Sequence, residues 1–353
     1  MCRSTASQRV GRSIRSGPLE QMLQPTPIGV FGMKLEAILS PVQNEMPLVT
    51  ESLRHVAAVD VPQFADVIRH AIGGLGKGVR PALTLLSGKF NDYNLEHLIP
   101  MATAVELLHT ASLVHDDTID KSPLRRGLPT LHSILGDNAA IMAGDYLFAK
   151  SAELAAMPGN LRVVRLFART LMALAKGELE ETLTLYNPQQ TREDYFRRID
   201  GKTAALFSMA AESGAILSRS PESEIQALKA YGTNLGLAFQ VVDDLLDFTG
   251  DEKTMGKPVG SDLLNGVLTL PTLLYIEQHP DGNLIKRGFE TKGKGPELSE
   301  AIAEIRGSSL IDESFAVARE LVRKAQSSIR PLPDTEAKQA LMALSDYVFE
   351  RKK

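Results

Sequence analysis

The sequence predicts an all-α protein, and three observations carry that expectation. From Met33 onward, apolar residues recur at spacings of three and four almost without interruption, the pattern of helices that each bury one face. No run alternates apolar and polar residues convincingly, and no strand–helix–strand rhythm is present. The chain is rich in Ala and Leu, which favour helix, and contains no Trp.

The elements follow in order. Periodic stretches cover 33–57 and 62–72, and the second ends at Gly73-Gly74. Stretches 79–90 and 95–117 come next, the latter running into an acidic segment closed by Ser122-Pro123. Residues 137–156 and 160–186 are separated by Pro158-Gly159, and Asn187-Pro188 ends the second. Residues 192–218 and 222–249 form two long stretches, the last stopped by Gly250. The C-terminal part predicts helices over 267–278, 298–306, 310–329 and 334–350, with Pro280-Asp281-Gly282 as a turn after the first. There is no repeat of solenoid length and no low-complexity block, so residues 33–353 are expected to form a single all-helical domain.

Composition sets the outer limits. A chain of 353 residues can bury a sizeable core. With 43% hydrophobic and 23% charged residues, 27 Gly and 19 Pro, it fits neither a disordered, a collagen-like nor a disulfide-scaffold class. The net charge of −4 offers no global field for nucleic acid or an anionic membrane, and neither is expected as a partner. The single Cys2 has no partner for an internal disulfide, which fits a reducing compartment and a cytoplasmic location. No apolar run is expected to reach the roughly 18 residues that span a bilayer. Residues 1–32 stand apart, with Arg3, Arg9, Arg12, Arg15, several serines and no acid before Glu20. They read as a disordered or transit-like extension, or as sequence upstream of a true start at Met33.

The strongest chemical signal occurs twice. Residues 109–120, HTASLVHDDTID, hold Asp116, Asp117 and Asp120; residues 239–249, FQVVDDLLDFT, hold Asp243, Asp244 and Asp247 in the same Asp-Asp-x-x-Asp spacing. On a helix, Asp116 and Asp120 share a face, as do Asp243 and Asp247. One such cluster would pass for a solvated acidic face. Two, each following an apolar run and each near the negative end of a helix dipole, ask for compensating cations. All-carboxylate clusters suit hard cations, and Mg²⁺ characteristically bridges one or two carboxylates to substrate phosphates. Basic residues at the neighbouring breaks would meet those phosphates: Lys77 and Arg80 in GGLGKGVRP, Arg125 and Arg126 in PLRRG, Lys202 in GKT, and Lys257 after the second cluster. No P-loop fits, because Ala71 and Phe196 stand where its first glycine belongs. His115-Asp116 alone suggests a metal phosphohydrolase, which leaves the second cluster unexplained.

Five ordered motifs over about residues 40–350 resemble the trans isoprenyl diphosphate synthases, or polyprenyl synthetases. They are GKGVRP at 76–81, HTASLVHDDTID at 109–120 with RRG at 125–127, GKT at 201–203, FQVVDDLLD at 239–247 and GDEKTMGKPVGSDL at 250–263. The resemblance implies the isoprenoid-synthase fold, a helical bundle around a central cavity, usually as a homodimer. It implies Mg²⁺-dependent head-to-tail condensation of isopentenyl diphosphate with an allylic diphosphate. Asp116, Asp120 and Asp243 are then ligands of two or three Mg²⁺ ions, with Asp117, Asp244 and Asp247 supporting them. Lys77, Arg80, His109 and Arg126 match binders of isopentenyl diphosphate. Arg125, Lys202, Thr203, Gln240 and Lys257 match binders of the allylic diphosphate, and Thr203 and Gln240 also stabilise the carbocation. The sequence departs from the pattern at Gly78 and at Gly266-Val267, where the family often carries a further basic residue. A terpene cyclase or head-to-head synthase, and a subunit of a heteromeric synthase, remain as alternatives.

The resemblance also places chain-length control on the helix before Asp116, where an aromatic four or five residues upstream closes the cavity for short products. Here those positions are Ser112 and Ala111. Ala111, Leu108 and Ala104 lie three and four residues apart, with Ala111 about 7.5 Å and Ala104 about 18 Å below Asp116. This row is expected to line an open channel for a geranylgeranyl or longer all-trans product, a precursor of a quinone side chain. The alternative is that Ala111 packs against a neighbouring helix and a large residue such as Met142 or Phe148 sets the floor.

Overall fold

The computed structural model describes residues 33–74, 76–250, 258–281 and 283–350. Its N-terminal helices are α1 (Met33–Ile38), α2 (Met46–Val56), α3 (Pro62–Gly73) and α4 (Val79–Gly88). A long α5 (Leu95–Ile119) leads to a two-stranded hairpin, β1 (Leu124–Arg125) and β2 (Leu128–Pro129). Then come α6 (Leu131–Leu135), α7 (Asp137–Ala156), α8 (Leu161–Leu183), α9 (Arg192–Ile199), α10 (Ala205–Leu217) and α11 (Glu222–Thr249). The C-terminal part holds α12 (Ser261–Leu264), α13 (Leu270–Gln278), α14 (Leu284–Glu290), α15 (Glu297–Arg306), α16 (Leu310–Ile329) and α17 (Glu336–Glu350). The protein is all-α, as its periodicity predicts.

Where sequence and structure differ, the cause is local. The 33–57 stretch is not one helix: Pro41 and Pro47, which lack an N–H, accompany a 3₁₀ turn at Ser40–Val42 and the start of α2. The 192–218 stretch carries a π turn at Asp200–Ala204 between α9 and α10. An apolar period cannot register one extra residue per turn. The hairpin pairs Leu124 with Pro129 and Arg125 with Leu128, too short for alternation to show. Its two turn residues, Arg126 and Gly127, have φ of 53° and 80°, as a type I′ turn requires.

α5 runs through the centre, with Met101, Ala104, Leu107, Leu108 and Ala111 wholly excluded from solvent. It packs on α7 and α4, while α11 packs along α16 and α10. One expectation is corrected here. An 18-residue window of α5 reaches a mean hydropathy of 1.2, enough by length and composition to cross a membrane, but 67% of that window is buried inside the fold. An apolar helix surrounded by other helices has the same composition as one surrounded by lipid.

Two glycines decide how the site is assembled. A Cβ on Gly177 of α8 would stand 2.5 Å from the backbone N of Lys202, and one on Gly236 of α11 would stand 2.5 Å from the Cα of Ala204. The π turn is therefore clasped between α8 and α11 at a distance only glycine permits.

Candidate active site

The last turn of α5 presents the first acid cluster, with Asp120 capping the helix through its N–H to the Asp116 carbonyl at 2.8 Å. Asp117 is buried, and Arg125 Nε donates to both its carboxylate oxygens, at 2.7 and 2.8 Å. Burial pushes Asp116 up to about 7, with Glu178 adding to the rise and Lys202 opposing it. Burial likewise raises Asp120, against the pull of Lys202.

Lys202, on the π turn, is the cation these acids face. Its Nζ donates to Glu178 Oε2 at 3.0 Å and to Glu181 Oε1 at 2.7 Å. Burial opposes the charge on Lys202, yet Glu181 and Glu178 outweigh it and hold the pKa above the usual lysine value. Glu181 also lies 3.6 Å from Nε of the buried Arg198. Neither glutamate stood out in the sequence; both lie in Gly-Glu-Leu-Glu-Glu on α8. Their i, i+3 spacing one residue after a close-packed glycine was the available signal.

The next residue faces the second cluster. Thr203 Oγ1 donates to Gln240 Oε1 at 2.5 Å, and Gln240 Nε2 donates to Asp244 Oδ1 at 2.7 Å. Tyr195 Oη donates to the other Asp244 oxygen at 2.6 Å. Asp244 is buried, and burial, reinforced by Asp262, pushes it up to about 8 against these two donors. Asp247, also buried, accepts from Ser261 Oγ at 2.8 Å and from the backbone N of Asp262 at 3.1 Å, so it fastens α12 to α11. Asp243 is exposed.

Arg125 and Arg126 lie beside the first cluster. Arg126 donates to the Gly74 carbonyl, and a Cβ on Gly76 would sit 3.1 Å from its guanidinium. A cleft lined by Gly76, Glu106, His109, Arg125 and Arg126 reaches Asp117. Burial, then Arg80, Arg126 and Arg125, hold the His109 pKa well below that of an ordinary imidazole, so it enters this cleft neutral. Buried Glu106, unforeseen from sequence, is raised by burial and lowered by Arg80 and Arg126. The Arg80 guanidinium lies 4.5 Å over Phe207 and 5.7 Å over Phe239. Lys77 is exposed and donates to Tyr347 Oη of α17 at 2.9 Å. Lys257 lies outside the described residues.

The row expected to line a channel is buried. Ala104, Leu108 and Ala111 have no exposure at all, because they point into the packed centre of the bundle. Ser112 is half-buried, with its Oγ donating to the His109 carbonyl at 2.9 Å. Met142, considered as a floor, is 69% exposed and closes nothing within this chain.

Asp117, Asp244 and Asp247 are thus engaged by protein donors. Among the described residues no three acids or histidines converge into a closed cage for an ion. The chemistry of the donor set nonetheless fits Mg²⁺. Asp116, Asp120 and Asp243 offer hard oxygens at least partly open to solvent, and Mg²⁺ keeps water and phosphate in its shell rather than filling an all-protein cage.

Two carboxylate clusters joined by a lysine–threonine pair, with a cleft of arginines alongside, define an enzyme for diphosphate esters on an all-α frame. Residues 61–305 match the family model described as Polyprenyl synthetase, so the chain belongs to the polyprenyl synthetase family and is a prenyltransferase of the polyprenyl diphosphate synthase type. It is 36% identical over 320 residues to heptaprenyl diphosphate synthase component 2 of Geobacillus stearothermophilus, covering 90% of this chain and 99% of that one. Among solved structures, a decaprenyl diphosphate synthase from Rhodobacter capsulatus aligns with a TM-score of 0.84 at 34% identity, covering 90% of this chain and 99% of the other. Heptaprenyl diphosphate synthase from Staphylococcus aureus aligns with a TM-score of 0.84 at 37% identity, covering 88% and 99%. The fold is that of the isoprenoid synthases.

Proposed function

We propose that this chain lengthens an allylic diphosphate with isopentenyl diphosphate in a Mg²⁺-dependent head-to-tail reaction, giving an all-trans product of geranylgeranyl length or longer. The observation that supports it best is the Lys202-Thr203 pair, one residue facing the first acid cluster and the next facing the second. Asp116, Asp120 and Asp243 would hold the metal. When bound it supplies positive charge beside the departing diphosphate.

The chain's own residues do the rest. Arg125, fixed by Asp117, and Lys202, fixed by Glu178 and Glu181, are preorganised cations for the diphosphate leaving the allylic carbon. Thr203 and Gln240 present dipoles to the allylic cation. Lys77, Arg80, Arg126 and neutral His109 bind the second diphosphate, His109 as an N–H donor. Lys257 joins the allylic set. The helical enclosure excludes water from the cation. The allylic C–O bond breaks, the double bond of isopentenyl diphosphate forms the new C–C bond to the allylic carbon, one proton passes to the departing diphosphate, and no protein nucleophile is needed.

We place residues 33–353 in one catalytic domain, in the cytoplasm, with residues 1–32 outside it. We also propose a homodimer, supported by exposed Ile141 and Met142 on α7 and Leu161 and Met172 on α8. A second reading, one subunit of a heteromeric synthase, is favoured by the relative whose name calls it component 2. The test is to incubate the purified chain with Mg²⁺, isopentenyl diphosphate and geranyl or farnesyl diphosphate. Elongated products support the first reading. Activity only after mixing with a partner supports the second. No product from a folded chain in either case overturns both.

A further inference from the structure

We propose that Tyr195 is a positioning residue for the reaction, acting through Asp244 and Gln240 to set the direction of the Thr203 hydroxyl. The inference rests on the role given above to Thr203 and Gln240.

Four side chains from three elements form one directed line. Tyr195 stands on α9, whose start is held by a reciprocal cap between Thr191 and Asp194. Its ring is 1% exposed, packs edge-on against Phe196 at 5.2 Å, and lies under the Arg198 guanidinium at 5.7 Å. It has little freedom to turn. Its hydroxyl donates to Asp244 Oδ2 at 2.6 Å, leaving Oδ1 for Gln240 Nε2 at 2.7 Å. In its ionised form, which the Tyr195 and Gln240 donors favour, Asp244 accepts only, and so it selects the nitrogen end of the Gln240 amide. The amide oxygen then faces Thr203 and accepts its only hydroxyl hydrogen at 2.5 Å. With that hydrogen committed, the remaining lone pairs of Thr203 are what the site can offer to a developing positive charge.

Each link is needed because the alternatives are close in shape. Rotation of the Gln240 amide by half a turn exchanges its donor and acceptor at almost no steric cost. Thr203 would then accept from Gln240 and turn its hydrogen elsewhere, reversing the dipole at the reacting carbon. What excludes this is the orientation of the Asp244 carboxylate, and Tyr195 supplies its second anchor. Tyr195, Asp244 and Thr203 are buried and Gln240 is half-buried, and in such surroundings a lost hydrogen-bond partner is costly.

The test is a double-mutant cycle on the full chain with Tyr195→Phe, Thr203→Val and the pair, reading kcat, the KM of each substrate and the melting temperature. Tyr195→Phe is expected to lower kcat about tenfold, the effect of one misdirected hydrogen bond, with both KM values within about twofold of wild type. In the Thr203→Val background it is expected to lower kcat no further. Asp244→Asn, which keeps the shape, serves as the second variant and is expected to match Tyr195→Phe. Equal factors in both backgrounds overturn the proposal, as does a lower melting temperature with kcat unchanged. A Thr203→Val variant with normal kcat removes both the role of Thr203 and that of Tyr195. Wild-type turnover is measured first: its absence in a folded chain would remove the reaction itself, whereas normal turnover with a multiplicative cycle removes Tyr195 alone.

Discussion

Lys202 Nζ lies 2.7 Å from Glu181 Oε1, and this pair joins the helix behind the site to the turn in front of it. The same ammonium reaches Glu178 at 3.0 Å and faces Asp116 and Asp120. Removing it strands four carboxyls around an empty place. Lys202→Met is therefore expected to destabilise the metal-free protein by about 1–3 kcal/mol, less than for a fully buried pair because the three side chains stay 23–28% exposed. Mg²⁺ should restore part of that loss by supplying positive charge, while turnover stays low. Thermal unfolding with and without Mg²⁺ checks both points, and an unchanged melting temperature would contradict the first.

The close approach that brings Lys202 there gives a second prediction. Gly177→Ala puts a methyl group 2.5 Å from the Lys202 backbone N, with no flexible side chain to yield. α8 and the π turn must separate. A loss of about 1–3 kcal/mol is expected, together with reduced turnover. A variant of normal stability and activity would show that the contact relaxes freely.

These cases show what the sequence could and could not say. The long helices, most of the breaks between them and the two Asp clusters were legible because each leaves a short-range pattern in the residue order, whereas the short helices α6, α12 and α14 fall outside the expected stretches. The second cluster ends its helix before Gly250, as expected. The partners of those clusters were not legible, since Glu178, Tyr195 and Tyr347 meet their partners only through tertiary packing. Tyr347 stands 270 residues from Lys77 in the chain, and no spacing rule reaches that far. The π turn was hidden for a different reason: one extra residue in a single turn leaves no distinct mark in the order of apolar and polar residues around Lys202 and Thr203.

A third prediction concerns the metal ligands. Asp116→Asn or Asp243→Asn should lower turnover by orders of magnitude and leave the helical circular dichroism intact. Burial and Glu178 make the charge at 116 costly, its pKa standing at about 7, so Asp116→Asn should also raise the melting temperature of the metal-free protein. Asp243 is exposed, and its variant should not gain stability in this way. Near wild-type turnover in either variant would remove that carboxylate from the metal site.

The fourth prediction is a pH dependence with a definite sign. Burial and three arginines hold the His109 pKa well below 6.5, its value in the unfolded chain. Below pH 6.5 the unfolded state therefore binds a proton that the folded state does not. Stability from this residue is full above about 6.5 and declines as the pH falls toward the folded value. For an imidazole that stays neutral in the folded state, the loss one unit below 6.5 is about 1.4 kcal/mol. His109→Gln should remove this decline, so that stability at pH 5.5 relative to pH 7.5 is higher in the variant than in wild type. Equal slopes would show that the folded imidazole titrates normally.

Product length gives the last prediction, and the structure moves it by one residue. Ala111, expected to face a channel, has no exposure, whereas Ser112 beside it is half-buried and lies four residues before Asp116. A helix turns by about 100° per residue, so two adjacent positions cannot both face the same channel squarely. Phe at 111 must enter the packed centre of the bundle, which overfills it and costs about 1–3 kcal/mol. Phe at 112 stands on the half-buried face that also carries Asp116, and is expected to obstruct a growing chain with less disturbance of the core. Ser112→Phe is accordingly expected to shorten the products while leaving the melting temperature near wild type, and Ala111→Phe to lower the melting temperature first. Chromatography of the dephosphorylated products, paired with thermal unfolding, separates them. Shortening by Ala111→Phe at wild-type stability would return the channel to the row of Ala104, Leu108 and Ala111.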